Sequence, residues 1–191
     1  MNRFWKIAAA GAALAAVPTM AQAHPGLAAA GFPDGFIHPF TGADHIMAMV
    51  AVGYWAQTLG GKARWAVPAS FTALMALGAV FGFHSSASTL VEYGVAASVF
   101  ALGLLVAFEV KLPVLPAAAL VGFFAFFHGY SHGSEAPSAA VEAWFFGGFT
   151  LATLILQGIG QGLAALRFNR VVSRLAGISV ALGGLYLIAG V

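Results

Sequence analysis

The amino-acid sequence predicts an all-α membrane protein, a compact bundle of six transmembrane helices behind a cleavable signal peptide. Three observations lead there. Charged residues make up only 7% of the 191-residue chain and hydrophobic residues 61%, whereas a soluble domain carries roughly 25% charged residues, so there is too little polar surface to face water. Apolar stretches close to the ~20 residues that cross the hydrocarbon of a bilayer recur along the chain. The Lys and Arg residues fall in alternate connections between those stretches, as the positive-inside rule requires.

The N-terminus has the form of a targeting segment. Arg3 and Lys6 make a short positive region, Ile7 to Val17 an apolar core, and Ala21-Gln22-Ala23 a small-x-small cleavage site. Residues 1–23 are therefore expected to be a signal peptide, leaving His24 first in the mature chain and outside the membrane. Residues 24–191 read as one six-helix domain. Its spans are placed at about 36–58, 65–84, 89–108, 112–131, 139–162 and 172–190, with short connections. With His24 outside, the loops holding Lys62, Arg64, Lys111, Arg167, Arg170 and Arg174 face the cytoplasm. The outer loops hold no Lys or Arg. The expected location is the inner membrane of a bacterium, multi-pass, with a periplasmic mature N-terminus.

Composition narrows the function. The chain has no cysteine, which excludes disulfides, thiolate metal sites and cysteine nucleophiles. The net charge of +2 comes with no basic cluster to track phosphates, so no nucleic-acid partner is expected. No Gly-rich loop ends in Gly-Lys-Ser or Gly-Lys-Thr, so no nucleotide is expected. No His-Glu-x-x-His sequence is present either. The chain is read as no enzyme, with no organic cofactor.

Ionisable groups inside apolar segments are costly and mark ion paths. His38-Pro39-Phe40-Thr41-Gly42-Ala43-Asp44-His45 opens the first span, with Met49 one turn after His45. Along a continuous helix, His38, His45 and Met49 share a face. Asp44, turned by about 100°, is expected to hold the ring nitrogen of a histidine on a neighbouring helix or to line another part of the path. Pro39 and Gly42 are expected to open the first turns. His128 and His132 stand at i and i+4, a spacing at which two imidazoles can share an ion. Glu135 joins them if the helix continues, although Gly129 and Gly133 suggest fraying there. Glu92 and Glu142 open spans from the outer side with no Lys or Arg nearby, and His84 ends one. Every histidine and these acids thus lie at the end opposite the basic loops, which suits a divalent cation entering from outside. Imidazole with carboxylate and no thiolate favours Ni²⁺, Co²⁺, Zn²⁺ or Cu²⁺ over Mg²⁺ or Ca²⁺. Gly78 with Gly82, and Gly158 with Gly162, are read as helix-packing pairs. Trp55, Trp65 and Trp144 are read as interface anchors, and the phenylalanines as packing or lipid-facing residues.

The run His38 to Gly53 resembles the signature of the HupE/UreJ family, and Phe127-His128-Gly129-Tyr130-Ser131-His132-Gly133-Ser134-Glu135 resembles its second block. The likeness extends over the mature chain. It implies a bacterial inner-membrane permease for nickel, or in some relatives cobalt, with Ni²⁺ or Co²⁺ as transported substrate. It places the metal-associated positions at His38, Asp44, His45, His128, His132 and Glu135. His24, Met49, Glu92 and Glu142 are added from the residue reading. The expected partners are the divalent metal ion and the lipid bilayer, and a homo-oligomer is compatible with the sequence. The alternatives are a membrane b-type haem protein with bis-His ligation and a metal-binding membrane protein that does not transport.

Overall fold

The computed structural model describes residues 31–83, 85–86, 88–135 and 139–191; for Glu135 and residues 139–142 the description is of the backbone alone. The expected signal peptide, His24 and His84 lie outside the described residues. The described residues form seven helices: α1 (Phe32–Thr41), α2 (Ala43–Leu59), α3 (Ala63–Phe83), α4 (Thr89–Ala107), α5 (Val114–Glu135), α6 (Ala139–Ala165) and α7 (Arg170–Gly190). Five of them, α3 to α7, are long and apolar enough to cross a membrane. Large apolar side chains such as Leu90, Leu115, Phe123 and Tyr186 point outward from them. An outer surface of this kind is a lipid-facing surface, and the chain is a multi-pass membrane protein.

The segment expected to be the first span differs from the other five. It is two helices, α1 and α2, separated at Gly42, whose backbone is extended (φ −93°, ψ 122°). Pro39 does not open the chain where it stands; it is buried within α1, where its φ suits a helix. The interruption falls three residues later, at the residue with the most backbone freedom.

Glycine decides how closely the helices approach. A Cβ on Gly78 or Gly82 of α3 would lie 2.2 Å and 2.1 Å from the carbonyl oxygens of Phe126 and Tyr130 on α5. Gly35 of α1 and Gly148 of α6 sit against each other's helix backbones, and Gly53 of α2 and Gly160 of α6 do the same. Gly103 of α4 meets Gly177 and Ala181 of α7 in this way too. Backbones in such contact gain van der Waals packing that lipid cannot supply. The pair on α3 therefore packs as its spacing suggests. The pair on α6 does not: no described atom lies within 4 Å of a Cβ placed on Gly158 or Gly162, so this stripe faces outward. The core between the helices is Ala, Val, Met and a few aromatics, among them Trp55, Phe71 and Phe149. Trp55 is thus no interface anchor. It is fully buried, and its indole donates to the Val110 carbonyl at 2.8 Å. Trp65 and Trp144 are exposed.

The two ends of the bundle differ. At one end Lys111 donates to the Thr58 carbonyl, Gln161 donates to the Arg64 carbonyl at 2.7 Å, and Glu109 lies 3.7 Å from Arg170. This end holds the basic residues of the described chain. The start of α2, the end of α5 and the start of α6 meet at the other end, where the histidines lie.

Candidate metal site

His38 comes from α1, Asp44 and His45 from the first turn of α2, and His128 and His132 from the last turns of α5. One ring nitrogen from each of His38, His45 and His132 lies within 4.8 Å of the others. The closest approach is between Nε2 of His45 and Nε2 of His132, 2.6 Å apart. The His38 ring stands edge-on to both, with centroids 5.5 Å from His45 and 4.7 Å from His132. His45 and His132 are buried and His38 is half-buried, so the group opens towards the bundle end through His38.

The chain break explains why His38 and His45 meet. Seven residues along a continuous helix would separate them by ~10 Å of rise. The extended Gly42 instead folds α1 beside the start of α2. The two histidines do share a site, but a bend rather than a common helix face brings them together.

Asp44 also lies elsewhere than expected. It holds not a histidine of a neighbouring helix but its own neighbour, with Oδ1 2.9 Å from His45 Nδ1. A carboxylate only accepts, so Nδ1 carries the proton and the Nε2 lone pair points into the cluster. Gly42 permits this contact. A Cβ there would sit 2.6 Å from His45 Nδ1 and 2.7 Å from Asp44 Oδ1. Gly42→Ala is accordingly expected to push the pair apart and weaken metal binding by about 10- to 100-fold, the usual cost of losing a carboxylate behind a ligating imidazole. Equilibrium dialysis of nickel(II) against the purified variant checks it.

The i, i+4 histidines do not both enter the three-histidine group. His128, one turn deeper, is fully buried and its Nε2 lies 2.7 Å from Ser98 Oγ of α4. Its Nδ1 has no hydrogen-bond partner among the described residues. Its ring centroid lies 5.6 Å from that of His45. Helix α5 runs on to Glu135 without fraying at Gly129 or Gly133; those glycines receive the backbone of α3 at Met75 and Ala79. Glu135 therefore ends the helix that carries His132, and Glu142 belongs to α6 near the same end. Glu92 is exposed on α4 and outside the cluster. Met49 is fully buried one turn below His45, in the core.

Residue-by-residue reading missed three contributors, two phenylalanines and Ser98. Phe149 of α6 is fully buried with its ring centroid 4.8 Å from His132 and 5.7 Å from His45, and Phe145 stands 5.6 Å from His38. These phenylalanines form one wall of the site and are more than lipid-facing packing. Nothing in the sequence distinguishes them from the other Phe residues. The sequence marks Ser98 by nothing more than a hydroxyl inside an apolar span. Residues Gly129 to Gly133 also have the spacing Gly-x-Ser-x-Gly. Ser131 lies within helix α5, not on a strand-to-helix turn, so the context of a nucleophile elbow is missing.

Three imidazoles and an orienting carboxylate, walled by aromatic rings, form a donor set for a borderline transition-metal cation. Comparisons with known proteins identify the family. The family model described as HupE / UreJ protein matches residues 12–187. A protein of Rhizobium leguminosarum bv. viciae, "Protein HupE", is 51% identical over 191 residues, covering 98% of this chain and 100% of the relative. No solved structure matches the chain. With the family model spanning nearly the whole chain and half of all positions shared with a full-length relative, the chain belongs to the HupE/UreJ family.

Proposed function

We propose that this protein carries nickel, or alternatively cobalt, inward across the bacterial inner membrane, with His38, His45 and His132 as its loading site. The observation that carries the reading is the convergence of three imidazoles, their ligand atoms within 4.8 Å of one another, at the bundle end away from the Lys and Arg residues. In this reading α1 and α2 together make the sixth crossing, residues 1–23 are removed as a signal, and the mature N-terminus is periplasmic. Residues 24–191 are then a single permease domain. His24, Glu135, Glu142 and Glu92 gather the cation at the periplasmic face. Asp44 holds His45 in the tautomer that binds it, and His128 and Met49 line the way inward. The basic far end discourages return. The broken α1–α2 segment is the kind of discontinuous helix that builds ion sites in transporters.

The geometry favours an ion over the haem alternative. The facing Nε2 atoms of His45 and His132 are 2.6 Å apart, with Phe149 packed against both rings, which leaves no slot for a porphyrin between them. The test is uptake by metal-limited cells expressing the protein, with nickel, cobalt, zinc and copper in competition. Accumulation of nickel or cobalt above empty-vector cells is expected, with the preferred ion displacing the other. Accumulation no higher than in vector cells for all four metals overturns the reading.

A further inference from the structure

Below the histidines, one face of α6 carries polar groups into the middle of the bundle. Phe149, Thr153, Gln157 and Gln161 follow one another at i, i+4 spacing, so they form a single stripe with ~6 Å between successive side chains. Phe149 touches the histidine cluster, and Gln161 reaches the start of α3 at the basic end. Thr153 is fully buried and its hydroxyl donates to the thioether of Met75 on α3, 3.9 Å away. Gln157 is 1% exposed, and neither Nε2 nor Oε1 of its amide has a hydrogen-bond partner among the described residues. A buried amide left unpaired costs of the order of 1–3 kcal/mol per polar group, so each one in a native fold asks for an explanation. A hydrophobic residue of similar size would avoid that cost at this position.

Two turns further along α6 an open cavity begins. Gly53 of α2 sits against the Gln157 backbone. The residue after it, Tyr54, lines that cavity of about 180 Å³ together with Thr58, Glu109, Lys111, Arg167 and Ser173. Along α6, Gln157 thus lies between Phe149, which touches the histidine cluster, and Ala164, which lines that cavity.

We propose that Gln157, with Thr153 and Met75 one turn above it, forms a second, neutral station for the metal cation on its way from the histidines to the inner cavity. The proposal rests on the importer reading and deepens it. The Gln157 carbonyl, the Thr153 hydroxyl and the Met75 thioether each present a lone pair to a cation, and none carries a charge. Such a set holds a divalent ion less tightly than three imidazoles, which an ion path needs in order to release its cargo. Nickel is passed with partial dehydration, the amide oxygen replacing water.

Gln157→Leu, which keeps the volume and removes both polar atoms, is the test variant. Binding of nickel(II) to the purified protein reads the histidine site; uptake of nickel(II) and cobalt(II) by cells, at matched membrane levels, reads the path. The expected result is wild-type binding with uptake about tenfold slower, the effect of one lost polar contact to a charged species. Wild-type uptake by Gln157→Leu overturns the proposal. So does a parallel loss of binding and uptake, because Gln157 then supports the outer site or the fold and not a later step. If Gln157→Leu does not accumulate, Thr153→Val carries the same comparison, and its normal uptake is equally fatal. Should the wild-type protein take up no metal, the importer reading falls together with this one. If the wild type and Gln157→Leu take up metal equally well, only the inner station falls.

Discussion

Replacing His45 by alanine is expected to abolish metal uptake while the bundle remains assembled. His45 is the one imidazole in ring contact with each of His38, His128 and His132, and it is the one that Asp44 orients. Truncation removes a direct ligand and leaves the Asp44 carboxylate without its partner. Losing a supporting residue behind a ligand already costs about 10- to 100-fold in metal affinity, so losing the ligand itself is expected to exceed that. The structural cost is smaller. His45 does not take part in the glycine crossings that set the helix spacing, and the cavity lies at an end of the bundle, where it can fill with water. Nickel accumulation in metal-limited cells at matched membrane levels, together with dialysis of the purified variant, separates the two effects. Unchanged accumulation at equal protein level would remove His45 from the path.

The helices were legible in the sequence because their signal is compositional. Length, apolarity and the alternation of basic loops are one-dimensional properties, and the ends of α3 to α7 fall within a few residues of the expected spans. The bend at Gly42 was legible only in part. Pro39 and Gly42 signal irregularity together, but which of them opens the chain depends on the packing of α1 against α6, where Gly35 and Gly148 meet the opposite backbones. Once α1 folds back there, Pro39 is helical and buried, and Gly42 must take the extended turn. The same packing explains the reassignment of Asp44. On a continuous helix adjacent side chains diverge by about 100°; at a helix start beside a glycine, neighbouring side chains can turn towards each other.

The site residues follow the same division. His38, His45 and His132 are conspicuous because imidazoles are rare in apolar segments. Which two or three of the histidines converge depends on the rotation of α5 against α2, and i, i+4 spacing on one helix carries no information about that. His128 and His132 point to different partners, Ser98 in one case and His45 in the other. Phe149 was invisible for a different reason: a phenylalanine facing a metal path and one facing lipid are the same letter in an apolar run.

Gly129→Ala is expected to disrupt the fold, while Gly158→Ala, on the next helix of the chain, is expected to be harmless. A single Cβ at position 129 would lie 1.8 Å from the Met75 carbonyl oxygen, 2.7 Å from its carbon and 2.9 Å from the Ala79 nitrogen. All three are backbone atoms of α3 and cannot rotate away, so α5 must move by more than an ångström or separate from α3. Moving it also shifts His132, three residues further along, out of its 2.6 Å contact with His45. Overpacking in a tight core commonly costs about 1–3 kcal/mol, and more where backbone must move. For a chain of this length that corresponds to about 2–12 °C in melting temperature, or to failure to accumulate where the backbone must move. At Gly158 no described atom lies within 4 Å of the added carbon, and alanine is the better helix former by about 0.5–1 kcal/mol. Heating the two variants in detergent and following the monodisperse fraction by size exclusion reads both. Equal stability of the two would mean that the α3–α5 crossing is not held at backbone contact, and that the position of His132 against His45 is not set by that crossing.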